Sequence, residues 1–135
     1  MTKLNREGLA KLRAEAKSAW QARATGTGAQ IIIGMGTCGI AAGAAKAWAA
    51  FEDEIAKNKL TDVQVLQTGC MGLCYSEPTV EVRVPDMPPI IYGKVDAEVA
   101  RRIVRKHIVG KLLINDHIYD RPAVDAFAEK AAGKK

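Results

Sequence analysis

The sequence predicts an α/β fold: a central mixed four-stranded sheet flanked by helices. Three observations predict it. Ile31-Ile32-Ile33, three β-branched residues bounded by glycines, reads as a strand buried on both faces. An alanine-rich helical stretch and then Val63 and Val65 follow it, which makes a strand–helix–strand unit. Val80, Val82 and Val84 alternate with Thr79, Glu81 and Arg83, and Ile90-Ile91-Tyr92 returns after Pro85-Asp86-Met87-Pro88-Pro89, so a hairpin closes the sheet.

Each element follows from local pattern. Leu9, Leu12, Ala16, Ala19 and Trp20 share one helical face, which predicts an extra N-terminal helix over residues 5–24. That apolar stripe must be buried, against the domain or against another subunit. Thr25-Gly26-Thr27-Gly28 ends the helix as a short linker. Strand 29–34 leads into a loop over 35–39. From Ile40 the spacing becomes helical, with Ala41, Ala44, Ala45, Trp48, Phe51 and Ile55 on one face, ending near Asn58. Trp48 and Phe51 are read as core anchors. A second strand ends at Thr68, and residues 69–78 form a turn-rich loop. Asp96 is placed to cap a helix carrying Val99, Ile103, Val104 and Ile108. The chain divides into residues 1–28 (helix and linker), 29–110 (the α/β domain) and 111–135. In that C-terminal helical appendage Asp120 caps a short helix from Arg121-Pro122, with Val124 and Phe127 inside.

Composition narrows the function. The chain has 135 residues, 48% hydrophobic and 26% charged, the balance of one ordinary globular domain. No apolar run approaches the ~20 residues of a membrane span. The polar start, Met1-Thr2-Lys3-Leu4-Asn5-Arg6, is no signal peptide, so a cytoplasmic location is expected. The net charge of +5 lies largely at the two ends. No aromatic strand, zinc-finger spacing or helix-turn-helix accompanies it, so the basic surface is read as solvated or as docking on an acidic partner, not as binding nucleic acid. Three cysteines, an odd count, argue against a disulfide framework and for metal or redox chemistry.

Two glycine-bearing segments carry that chemistry. Gly36-Thr37-Cys38-Gly39-Ile40-Ala41-Ala42-Gly43-Ala44 joins the first strand to the second helix. Thr68-Gly69-Cys70-Met71-Gly72-Leu73-Cys74-Tyr75-Ser76-Glu77-Pro78 joins the second and third strands. Both loops emerge at one end of such a sheet, so Cys38, Cys70 and Cys74 converge. Glycines let backbone approach a cluster closely and aim N–H groups at it. The same features activate a thiol without any metal. Cys38 and the Cys70–Cys74 pair are alternatively small buried residues or a local disulfide. His107 is read as a helix-end residue facing the dipole and His117 as a surface residue. Glu77 shapes the turn before Pro78, and Glu81 points outward.

The order helix, strand, helix, strand, strand, strand, helix is thioredoxin-like. Together with the two cysteine loops it resembles the thioredoxin-like 2Fe–2S ferredoxin domains of NADH dehydrogenase-type complexes. The nearest likeness is to the N-terminal domain of the NADH-binding flavoprotein subunit in NAD-reducing or bifurcating hydrogenases and related formate dehydrogenases. It spans residues 30–110, and Thr-Gly-Cys-x-Gly-x-Cys-x-x-x-Pro before a valine-rich strand is its most specific part. The resemblance implies a 2Fe–2S cluster on Cys38, Cys70 and Cys74. It also implies partners: a flavin- and NADH-binding subunit and further iron–sulfur subunits. The family uses four cysteines, two in each loop. Here Gly34 stands about where the fourth would lie, leaving Thr37, Ser76, water or a partner residue as the remaining ligand.

Three functions stay open at this stage. The first is an electron-transfer or accessory subunit with no substrate chemistry of its own. The second is a cluster-free assembly module of the same kind of complex. The third is a thiol redox sensor in which Cys70 or Cys74 resolves an oxidised Cys38.

Overall fold

A computed structural model describes residues 5–24 and 28–120. Helix α1 (Arg6–Ala24) starts where Asn5 Oδ1 accepts the Gly8 N–H at 2.7 Å, a side-chain cap. Strand β1 (Ala29–Gly34) follows, then α2 (Thr37–Ala42), α3 (Ala44–Lys57) and β2 (Val63–Thr68). A 3₁₀ turn (Cys74–Ser76) precedes the β3 (Val80–Arg83) and β4 (Ile90–Tyr92) hairpin. Helix α4 (Ala97–Arg102) continues as a π-helical stretch, Ile103–Val109. A second 3₁₀ turn (Asn115–His117) leads into β5 (Ile118–Asp120).

The sheet is mixed, in the order β2-β1-β3-β4-β5. β1 pairs parallel with β2, Ile32 opposite Leu66, and antiparallel with β3, Ile32 opposite Glu81. The C-terminal segment supplies a fifth strand where four are predicted: Tyr92 pairs with Ile118 and Ile91 with Asp120. Three residues of mixed polarity carry no alternation signal, and only the open edge of β4 makes them a strand. The helix predicted from Arg121-Pro122 lies outside the described residues, and Asp120, its predicted cap, is the last residue of β5.

The core sits on one face of the sheet. Ile31, Ile33, Val80, Val82 and Tyr92 are fully buried there, beneath Ala47 and Phe51 of α3 and Ala100, Ile103 and Val104 of the last helix. Ile32 is only half-buried, so β1 is not sealed on both faces as its sequence suggests. Phe51 anchors this core, and Trp48 packs partly buried at its edge.

The alanine-rich segment is two helices. Gly43 adopts φ 103, a left-handed turn that caps α2 and restarts the chain as α3. The turn rotates the inward face to Ala44, Ala47, Ala50, Phe51 and Glu54, and leaves Ala41 and Ala45 exposed. Glu54 is tolerated inside because Arg105 clasps it, Nε to Oε1 at 2.7 Å, and Asn58 Nδ2 donates to it at 3.1 Å. Arg105 holds the Glu54 carboxyl below the usual range. Asp96 caps α4 as expected, accepting the Val99 N–H at 2.8 Å. Along α1, Leu9 and Leu12 of the apolar stripe remain exposed.

Candidate functional site

Parallel pairing of β1 and β2 puts both cysteine loops at the same end of the sheet. Backbone hydrogen bonds continue past the strands: Met35 N–H donates to Thr68 O at 2.8 Å, and Gly34 N–H to Thr79 O at 3.0 Å. The loops therefore leave the sheet already tied together. Gly36 lies so close to the second loop that a Cβ there would stand 3.1 Å from the Cys70 nitrogen and 3.3 Å from its Cβ. Gly39 is tighter still, since a Cβ would meet the Gly34 carbonyl oxygen at 2.3 Å. These two positions need glycine for close approach.

The second loop is built the same way. Gly72, at φ 80, turns its N–H back onto Cys70 Sγ at 3.3 Å. Ser76 N–H bonds Leu73 O, Lys94 N–H bonds Ser76 O, and Val95 N–H bonds Pro78 O, which fastens the loop to the chain beyond β4. The Glu77-Pro78 peptide is cis. Glu77 shapes this turn as expected: its Oε2 accepts from Thr79 N–H at 2.9 Å and from Thr79 Oγ1 at 3.2 Å.

All three predicted thiols meet here. Cys70 Sγ and Cys74 Sγ are 3.4 Å apart, and all three cysteines are free and exposed. The Cys74 thiol is pushed up to about 11, first by its hydrogen bond with Cys70 and next by that with Cys38. Cys38 is thus close enough to act on Cys74 directly. Among the described residues no group of three or more His, Cys, Asp or Glu is placed to hold a metal ion. The arrangement is a pair plus one, and a two-iron centre takes its terminal ligands in pairs. Two thiolates on one tetrahedral metal lie about 3.8 Å apart, given metal–sulfur bonds of about 2.3 Å, close to the Cys70–Cys74 spacing.

The donor set itself fits a cationic centre. Three neighbouring thiols cannot all ionise unaided, because each negative charge raises the next pKa. A bound metal removes that penalty and takes the thiolates. The fourth donor is another matter. A Cβ at Gly34 would stand 2.8 Å from Thr79 Oγ1 and 3.4 Å from the Thr79 carbonyl oxygen, so a cysteine there requires the Thr79 side chain to shift. Ser76 is fully buried, with its Cβ against Gly93. Thr37 is exposed beside Cys38.

The histidines differ from expectation. His107 does lie in the last helical turn, but it is fully buried, with Nδ1 2.8 Å from the Tyr92 hydroxyl. Burial, and secondarily Lys111, lowers its pKa. The π-helical stretch turns it inward, and nothing in the local sequence signals a partner fifteen positions away. His117 is half-buried, its Nδ1 3.3 Å from Gly93 O. Sequence reasoning also passed over Tyr75 and Tyr119, whose rings pack edge to face at 5.3 Å beside Cys74.

Comparison with curated proteins finds the NADP-reducing hydrogenase subunit HndB of Solidesulfovibrio fructosivorans. It is 40% identical over 99 residues, 73% of this chain and 79% of that one. The chain belongs to the HndB family. No family model matches it. Among solved structures, a thioredoxin-like 2Fe–2S ferredoxin from Aquifex aeolicus superposes with a TM-score of 0.63 at 19% identity, over 73% of this chain and 96% of the ferredoxin. A crystal structure of the wild-type ferredoxin gives 0.62 at 22% identity, over 70% and 98%. These likenesses establish the fold of this HndB relative as thioredoxin-like.

Proposed function

We propose that this HndB-type chain is an electron-transfer subunit of a multisubunit NAD(P)(H)-linked hydrogenase-type oxidoreductase, with Cys38, Cys70 and Cys74 holding a 2Fe–2S cluster. The observation that carries the reading is the meeting of three exposed sulfurs from two loops locked together at Gly36. A cluster held there accepts and returns one electron at a time.

The chain's own residues supply the setting. The Gly72 N–H stabilises negative charge on Cys70 Sγ. Gly36 lets the two loops approach closely, and Gly39 lets the start of α2, with Cys38, pack against the end of β1. Exposure of all three sulfurs at one edge suits electron exchange with a neighbour. The partners we propose are a flavin- and nicotinamide-binding subunit and further iron–sulfur subunits, and the exposed Leu9 and Leu12 of α1 offer one of them a contact. A cytoplasmic setting agrees with three free thiols, and among the described residues no helix is long and apolar enough to cross a membrane.

The test is iron and acid-labile sulfide analysis of anaerobically purified chain. Two irons and two sulfides per chain, with a visible chromophore that bleaches on reduction, are expected. Colourless protein without iron, even after reconstitution, overturns the electron carrier and leaves the cluster-free assembly module, the reading favoured by three thiols where the resemblance expects four.

A further inference from the structure

We infer that the three-thiol site has a fourth coordination position left open by this chain, to be filled by one thiolate or imidazole donor from another subunit. The inference rests on the cluster reading above and extends it.

The argument is a census of donors at the site. Cys70 and Cys74, 3.4 Å apart, suit one metal, and Cys38 is the only thiol of the first loop. The chain has no fourth cysteine, and its two histidines are committed elsewhere: His107 to Tyr92 in the core, His117 to Gly93 O. Ser76 is fully buried. Glu77 has Oε2 engaged by Thr79 and Oε1 buried without a partner, and its carboxylate is a harder donor than the thiolates this site offers. Gly34 has no side chain to offer. Among the described residues Thr37, Tyr75 and Tyr119 are exposed nearby, and a neutral hydroxyl is a poor ligand beside three thiolates.

The surface around the sulfurs argues for a protein donor over bulk water. Ile40, two residues beyond Cys38, is 54% exposed, and Tyr75, next to Cys74, is 69% exposed. Apolar side chains at the rim of a charged site are what a partner surface covers. A subunit seated there would exclude water and deliver its donor in one step, so docking and completion of the site are coupled.

The test uses the isolated full chain, reconstituted anaerobically, with free imidazole as the probe. Iron and sulfide analysis comes first: failure to form a cluster sinks the function reading itself, and this inference with it. Given a cluster, pulsed electron paramagnetic resonance of the reduced protein with ¹⁴N- or ¹⁵N-imidazole is expected to show an isotope-dependent nitrogen coupling. Imidazole then replaces one weakly held ligand, one for one. Thr37→Val is expected to form the same cluster and give the same coupling. A formed cluster that shows no coupling, or one that Thr37→Val abolishes, overturns the inference by placing the fourth ligand within the chain. In the intact complex the imidazole response is expected to vanish. If it persists there, solvent holds the position and the partner donor is refuted.

Discussion

Cys74 is where the three sulfurs act on one another most plainly. With its thiol pushed up to about 11, it stays protonated across neutral and mildly alkaline pH in the metal-free protein. The folded value lies above the 9.0 of an unperturbed thiol. Its contribution to stability is therefore complete below pH 9.0 and lost as the pH rises through about 11. The rate of Cys74 alkylation by iodoacetamide should follow the same titration. Removing either neighbour, as in Cys38→Ser or Cys70→Ser, should move its midpoint down toward 9.0. A wild-type midpoint already at 9.0 would mean the sulfurs are not in contact. Gly39 gives the steric counterpart. In Gly39→Ala the new methyl meets the Gly34 carbonyl oxygen at 2.3 Å, and thermal unfolding should show a loss of about 1–3 kcal/mol. At this scale the sequence was informative about which residues matter, because glycine and cysteine in loops have few other reasons to cluster. It was silent on Gly39's contact, since only the fold of the loop between β1 and α2 brings Gly39 against the Gly34 carbonyl.

Elements tell a mixed story. Periodicity located β1, the hairpin and the Asp96 cap, since each rests on neighbours within a few residues. It ran straight through Gly43, because alanines on both sides keep the helical spacing and only the left-handed turn shows the break. The π-helical stretch was equally hidden. Its inward turn of His107 depends on the Tyr92 hydroxyl of β4, a tertiary contact. That contact couples the last helix to the sheet and carries a pH dependence. Burial holds the His107 pKa below the usual 6.5, so the neutral form is favoured by folding. The resulting stability is present above pH 6.5 and is lost as the pH falls through the lowered folded value. Urea denaturation of wild type should weaken progressively below pH 6.5, and His107→Leu should flatten that part of the profile. An unchanged slope in the variant would show that His107 does not gain a proton on unfolding.

For the whole molecule, topology does the functional work. A parallel β1–β2 pair, with the hairpin on the far side of β1, brings the two cysteine loops to one end of the sheet, although 31 residues lie between Cys38 and Cys70. The crossover and hairpin were legible because each implies its own strand direction. The fifth strand was not, because β5 is defined by the open edge it covers. The central claim is that Cys38, Cys70 and Cys74 serve one centre. Iron content of Cys38→Ser, Cys70→Ser and Cys74→Ser, each reconstituted beside wild type and checked for folding by circular dichroism, tests it most directly. The account predicts that each folded variant loses most of its iron or forms a cluster of altered spectrum. A Cys38→Ser protein with the full wild-type iron content and an unchanged spectrum would contradict it.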